Sequence, residues 1–184
     1  MFINIITPCS RPENLHKIAK SIKIPEGKYK WIVIHDAERL PEINLLPNGA
    51  MHIAEKIDGS ISGNGQRNLG LNFIDYGRNN WIYFNDDDTT IHPNLWDSIC
   101  ELDQHDFLHF YQEDKDHNIR LCNDDVAVCR IDSHNFLFKT ELLGSSRFII
   151  GDYCADGHFA TEIYQKAQNP LYIQKVLSTY NSLR

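Results

Sequence analysis

The chain has 184 residues, a formal charge of −7 and a pI near 5.7, the balance of an ordinary acidic enzyme with no basic stripe for nucleic acid. A domain of that length buries about 70% of the surface its unfolded form would expose, so it needs no covalent staples. The five cysteines are odd in number, dispersed and never in a C-x-x-C pair, which argues against a disulfide framework or a thiolate zinc site and for a reducing, cytoplasmic compartment.

In chain order, Phe2–Ile6 reads as a strand, Thr7–Pro12 as a turn with two prolines, and Glu13–Ile22 as a helix with Leu15, Ile18, Ala19 and Ile22 on one stripe. Strand, loop and helix open an α/β unit. Trp31–Ile34 is a second strand ending in His35-Asp36-Ala37-Glu38; Arg39–Ala50 is loop, and Met51–Ala54 a short third strand. Asp58–Gly65, DGSISGNG, is either a flexible connector or a loop whose backbone comes close to a ligand. It leads into a helix expected over Gln66–Tyr76 with Leu69, Phe73 and Tyr76 inward, so that Arg67 sits near a helix start where backbone donors point outward.

Trp81–Phe84 has the pattern of a strand buried on both sides, and Asp86-Asp87-Asp88 stand at its carboxyl end. Open α/β sheets bind ligands at that edge. Three crowded carboxylates repel by roughly 1 kcal/mol per pair at about 4 Å in water, and by more in a crevice. A hard cation, Mg2+ or Mn2+, with a phosphate-bearing ligand would answer that repulsion, since such ions take a carboxylate or two and complete their shell with phosphate oxygens and water. The bland alternative is a solvated turn that helps to start the helix expected from Pro93 to about Leu102.

Beyond this point the periodicity changes. Phe107–Tyr111, Ile119–Leu121 and Val126–Ile131 read as short strands around polar turns, antiparallel hairpins added to a parallel sheet. A helix is expected over Gly157–Ala167 and a last strand over Leu171–Leu177. No apolar run approaches the 18 residues of a membrane-spanning helix, and MFINIITPCSRP lacks the features of a signal peptide. No repeat or linker divides the chain, which is read as one domain: a nucleotide-binding half, 1–100, and an acceptor half, 101–184.

Four segments carry a resemblance: ITPCSRP at Ile6–Pro12, WIVIHDAE at Trp31–Glu38, Gln66-Arg67-Asn68, and YFNDDD at Tyr83–Asp88. In that order they resemble GT-A glycosyltransferases, in detail the glucuronyltransferases of proteoglycan synthesis, and also bacterial family-2-like glycosyltransferases. ITPCSRP has one residue fewer before its Arg than the family pattern. The resemblance covers the first half of the chain; that family's acceptor-binding and catalytic region has no recognisable counterpart in the second, so its donor sugar and acceptor do not carry over. What it implies is an α/β fold of GT-A (Rossmann-like) type, an α/β/α sandwich with a mostly parallel mixed sheet and a small antiparallel C-terminal addition. The implied activity is metal-dependent, inverting transfer from a nucleotide-sugar donor, a UDP-sugar, to a carbohydrate or lipid-linked acceptor.

The same resemblance implies roles. Thr7, Pro8, Arg11 and Asp36 would frame the base, with Asp36 accepting from the uracil imide. Arg67 would face the diphosphate or ribose, against the alternative of a surface residue paired with an acid. Asp86 and Asp87 would hold ribose hydroxyls or the sugar, and Asp88 would bind Mn2+ or Mg2+ bridging the two phosphates, stabilising charge on the departing UDP. Inversion needs a base for the acceptor hydroxyl, and DYCADGHF, Asp152–Phe159, is the comparable late stretch. Asp156 is the candidate and Asp152 the reserve, although an Asp before a helix is also what an N-cap looks like. His158 is a candidate for the metal shell, although a lone histidine on a helix is more often a surface or packing residue. Ser133-His134-Asn135 is placed in the acceptor cleft by position alone. The rival readings are a sugar nucleotidyltransferase, which would carry a glycine-rich loop with a basic residue where TPCSRP stands, and a non-catalytic nucleotide-sugar-binding module.

Overall fold

A computed structural model describes residues 1–184. Its first strand, β1 (Phe2–Cys9), is buried from Ile3 onward and alternates in direction: Ile3 and Ile5 enter one apolar cluster, Ile6 the other. The strands β2 (Tyr29–His35) and β4 (Asn80–Phe84) divide in the same way, with Trp31, Val33, Trp81 and Tyr83 on one face and Ile32, Ile34, Ile82 and Phe84 on the opposite one. Strands apolar on both faces need a layer on each side. The helices α1 (Leu15–Ser21) and α3 (Leu95–Ile99) cover the first face through Leu15, Ile18, Leu95 and Ile99. On the second lie α2 (Asn64–Gly70), its continuation through Leu71, and α4 (Ala155–Tyr164) through Phe159 and Ile163.

The remaining strands are β3 (Ala50–Ala54), β5 (Phe107–Asp114), β6 (Ile119–Leu121), β7 (Phe136–Lys139) and β8 (Pro170–Tyr180). All eight join one sheet in the order β3-β2-β1-β4-β7-β5-β6, with β8 paired to β5. β1, β2, β3 and β4 are parallel; β7 is antiparallel to β4 and β5, β6 is antiparallel to β5, and β8 is parallel to β5. The chain therefore leaves β1, β2, β4 and β8 at one common edge. This is the GT-A type α/β/α sandwich with a mixed, mostly parallel sheet.

Several expected bounds shift. The run Val126–Ile131 is turn, not strand: Cys129 takes φ +66°, and only the two ends, Val126 and Ile131, reach the core. Its expected place in the sheet belongs to β7, whose four residues are all buried. The helix expected over Gln66–Tyr76 starts two residues earlier, ends at Gly70 and leaves Tyr76 exposed. Gly70 lies against β1, where an added Cβ would stand 2.5 Å from Ile6. The last helix covers Ala155–Tyr164 in place of Gly157–Ala167. No helix is long and apolar enough to cross a membrane.

Candidate active site

Where the strands end, a cleft of about 560 Å3 opens. β1 contributes Pro8 and the loop residues Ser10 and Arg11; β2 contributes Asp36; α2 and the loop before it contribute Gly63, Gln66 and Arg67. Gly63 is required where it stands: its φ is +78°, and a Cβ would lie 2.6 Å from that of Pro8. The turn after β4 contributes all three acids, the segment before β7 contributes Asp132 and Ser133, and Asp156 enters from α4. Six aspartates and four arginines line the cleft, an excess of two negative charges.

Asn85 closes the acidic turn by donating to the carbonyls of Asp86 (3.1 Å) and Thr89 (2.8 Å), while Thr89 N–H donates to the Asp86 carbonyl at 3.1 Å. The three side chains then diverge toward three different walls. Asp86 Oδ1 accepts from Arg67 Nη2 at 2.5 Å, and its Oδ2 lies 3.3 Å from His134 Nε2. Burial alone would raise the Asp86 pKa, but Arg67 and His134 outweigh it and hold the carboxyl well below the usual range. Asp87 faces the loop after β1. It accepts from Ser10 N–H (2.5 Å), Ser10 Oγ (3.0 Å), Arg11 N–H (2.7 Å) and the Arg11 guanidinium, against a burial that pushes its pKa up. Asp88 faces the segment after β8: its Oδ2 lies 2.7 Å from Arg184 Nε and 3.3 Å from Arg11 Nη1.

Arg67 is almost wholly buried; besides Asp86, its two Nη atoms donate to the Ser62 carbonyl (2.6 Å), Asn64 Oδ1 (3.1 Å) and Ser133 Oγ (3.2 Å), its Nε is buried without a partner, and its guanidinium lies over the Phe148 ring. It lies at the foot of the cleft and is not a surface arginine. His134 sits beneath, with Nδ1 3.6 Å from Asp132 Oδ1. Burial opposes a charged ring there, but Asp132 and Asp86 outweigh it and raise the His134 pKa to about 9. Gln112 pulls the other way: its Nε2 faces His134 Nδ1 at 2.8 Å while Arg120 holds its oxygen, an arrangement that suits a neutral ring. In both forms Nε2 carries a proton and presents it to Asp86.

Asp36, at the end of β2, accepts from Gln66 Nε2 at 3.0 Å and pairs with Lys56 at 3.1 Å, with its carboxylate one-third exposed to the cleft. Asp156 is the second residue of α4, whose N-cap is Cys154, so the aspartate is not itself the cap. The helix start sits tightly on the turn at Val128, where a Cβ on Gly157 would lie 2.7 Å from the Val128 Cα. Burial, aided by Asp132, raises the Asp156 pKa to about 6 against the pull of the Gly157 N–H and Arg67.

Three sequence candidates stand elsewhere. Thr7 is fully buried beneath the sheet edge, where its hydroxyl accepts from Trp31 Nε1 at 3.0 Å. Asp152 turns to the chain outside the cleft, accepting from Cys154 N–H at 2.9 Å, and His158 faces it at 3.6 Å, with half of its ring in solvent. Neither lines the cleft with Asp88. No group of three His, Cys, Asp or Glu side chains is gathered to hold a metal. The donor set still fits a hard cation that keeps phosphate oxygens and water in its shell: a buried carboxylate, Asp88, already carries two positive side chains on one oxygen. Sequence reasoning missed Asp132, Arg120 and Arg184, which line the cleft without belonging to any motif, and passed over Tyr153 within the stretch Asp152–Phe159.

No family model matches the chain, and no curated sequence does. Solved structures do match in fold. S. aureus TarS 1–349 aligns with a TM-score of 0.78 at 16% identity over 98% of this chain and 60% of that one. Its complex with UDP aligns at 0.75 and 17% identity, over 98% and 60%. The mannosyltransferase PcManGT from Pyrobaculum calidifontis, in complex with GDP-Man and Mn2+, aligns at 0.69 and 13% identity, over 97% and 56%. The chain thus spans well under two thirds of the length of each.

Proposed function

We propose that the chain is a glycosyltransferase that moves a sugar from a UDP-sugar to a hydroxyl of a carbohydrate or lipid-linked acceptor, with inversion and with Mn2+ or Mg2+. The observation that carries the reading is the convergence, in one cleft at the sheet's carboxyl edge, of Asp36 after β2, the acidic turn after β4 and Asp156 on α4. The similarity in fold to a UDP-bound TarS and to a mannosyltransferase holding GDP-Man and Mn2+ supports it.

In this reading Asp36 accepts from the base imide, and Pro8 and the Arg11 loop flank it. Asp88 would hold the cation together with diphosphate oxygens; when bound, the cation supplies Lewis-acid stabilisation of charge on the leaving diphosphate. Asp86, fixed by Arg67 and His134, presents an ionised carboxylate to ribose or sugar hydroxyls. Asp156, which lines the cleft with a pKa raised to about 6, would be ionised at neutral pH and act as the base. As the acceptor oxygen bonds to the anomeric carbon and the bond to the diphosphate oxygen breaks, the acceptor's proton passes to Asp156. The chain acts as one catalytic domain, its first half binding the nucleotide and its second supplying the acceptor side.

The deciding experiment is release of free nucleotide from a panel of UDP-sugars, with GDP-mannose for comparison, in the presence of Mn2+ and candidate sugar acceptors. Release from one UDP-sugar, increased by an acceptor, is expected. No release from any donor would reduce the chain to a binding module.

A further inference from the structure

β8 runs parallel to β5, so the chain leaves it at the cleft edge, and Asn181–Arg184 folds back onto the acidic turn. Leu183 N–H donates to the Asp88 carbonyl at 2.8 Å, Thr90 N–H donates to Ser182 Oγ at 2.9 Å, and Asn181 turns the backbone at φ +52°. These bonds set Arg184 Nε 2.7 Å from Asp88 Oδ2, the oxygen that Arg11 Nη1 approaches at 3.3 Å. The partners differ in freedom. Asp88 is 5% exposed and cannot leave, whereas the Arg184 side chain is 53% exposed and can swing into water.

A buried carboxylate left bare is costly, and a solvated guanidinium released is cheap. A cation that takes this oxygen therefore displaces Arg184. The freed guanidinium stays on the wall of the cleft that the proposed donor would fill, and the oxygens of a diphosphate match its forked N–H groups. We infer that Arg184 exchanges partners during loading, holding Asp88 in the free chain and the diphosphate of the bound donor once a divalent metal has taken Asp88. This rests on the nucleotide-sugar reading above. Metal alone must break the Arg184–Asp88 pair without recompense. Metal with diphosphate gives Arg184 a second partner, so each ligand strengthens the other.

The test is calorimetry on the full chain, wild type and Arg184→Gln, with four ligands: MnCl2 alone, UDP or GDP in EDTA, the same nucleotide at saturating Mn2+, and the phosphate-free nucleoside. Arg184→Gln is expected to bind Mn2+ alone about fivefold tighter and the nucleoside diphosphate about fivefold weaker, with the nucleoside unchanged. Arg184→Lys, which restores a cation without the fork, recovers part of the diphosphate affinity. Unchanged Mn2+ affinity in Arg184→Gln, or an equal loss for nucleoside and nucleotide, overturns the exchange while the nucleotide cleft stands. A wild-type chain that binds no nucleotide under any of these conditions overturns the nucleotide reading, and the exchange with it.

Discussion

Asp87 Oδ2 accepts the backbone N–H of Arg11 at 2.7 Å and that of Ser10 at 2.5 Å, so the middle acid of the triplet fastens the loop after β1 to the turn after β4. Its backbone carbonyl adds a bond from Asn14 Nδ2 at 3.0 Å. With four donors on the carboxylate, little of it is left for a ligand, and its part in donor binding is to place Arg11 and Pro8. Asp87→Ala removes those acceptors and leaves the Ser10 and Arg11 N–H groups without their protein partner. We expect a loss of about 2 kcal/mol, or about 6 °C in Tm, with protease sensitivity appearing around residues 10–14. Nucleotide affinity falls with the loop. Tight nucleotide binding by a variant whose loop is already cleaved would show the loop to be dispensable.

The Arg67–Asp86 pair predicts a pH-dependent stability. Arg67 is almost without exposure, so Asp86→Asn leaves a buried cation with no counter-charge and costs about 3 kcal/mol in urea unfolding. The folded-state pKa of Asp86 lies below the ordinary carboxylate value of 3.8. Its stabilisation is therefore complete above that value and drains away as the pH falls below it. The gap between wild type and variant should be constant from pH 7 to about 5 and close below pH 4. A gap that is constant down to pH 2 would mean that the two groups do not interact electrostatically.

These divergent roles explain how much could be read in advance. Ile6–Pro12, Trp31–Glu38 and Tyr83–Asp88 are strand ends, and parallel pairing of β1, β2 and β4 brings strand ends together, so the motifs meet at one edge, where the cleft opens. The resemblance set Asp88 apart from Asp86 and Asp87, but the sequence could not separate those two or give any of the three its protein partner, because Arg67, Ser10 and Arg184 come from three separate elements. Thr7 belongs to the motif yet points the other way, since β1 remains extended through Cys9 and alternation turns the Thr7 hydroxyl to Trp31. Val126–Ile131 and Phe136–Lys139 have the same apolar appearance; only the competition for the place beside β4 separates them. Arg184 has no local signal at all, because its position follows from the direction of β8.

Asp88→Asn tests the cation. The substitution keeps the shape, removes the charge that a hard ion requires, and releases Arg11 and Arg184 toward any anion in the cleft. Without metal, the variant should bind UDP at least as well as wild type in calorimetry. The gain that wild type shows on adding Mn2+ should vanish in the variant. An equal gain in both would place the cation elsewhere.

Asp156 gives the sharpest pH prediction. The pKa of about 6 is set by burial and by Asp132, and kcat/KM for the donor reports groups in the free enzyme. The raised value means that the base loses its charge at a pH where an ordinary aspartate would still be ionised. Activity should therefore fall on the acid side with an inflection near 6. Asp132→Asn removes one neighbouring negative charge, which favours the ionised form of Asp156, so the inflection should move to lower pH even where kcat is reduced by the loss of the Arg120 pair. Asp156→Ala should retain nucleotide affinity and lose transfer by at least about 100-fold, the usual contribution of a positioned base. An inflection unmoved by Asp132→Asn, together with full turnover by Asp156→Ala, would assign the base to another residue.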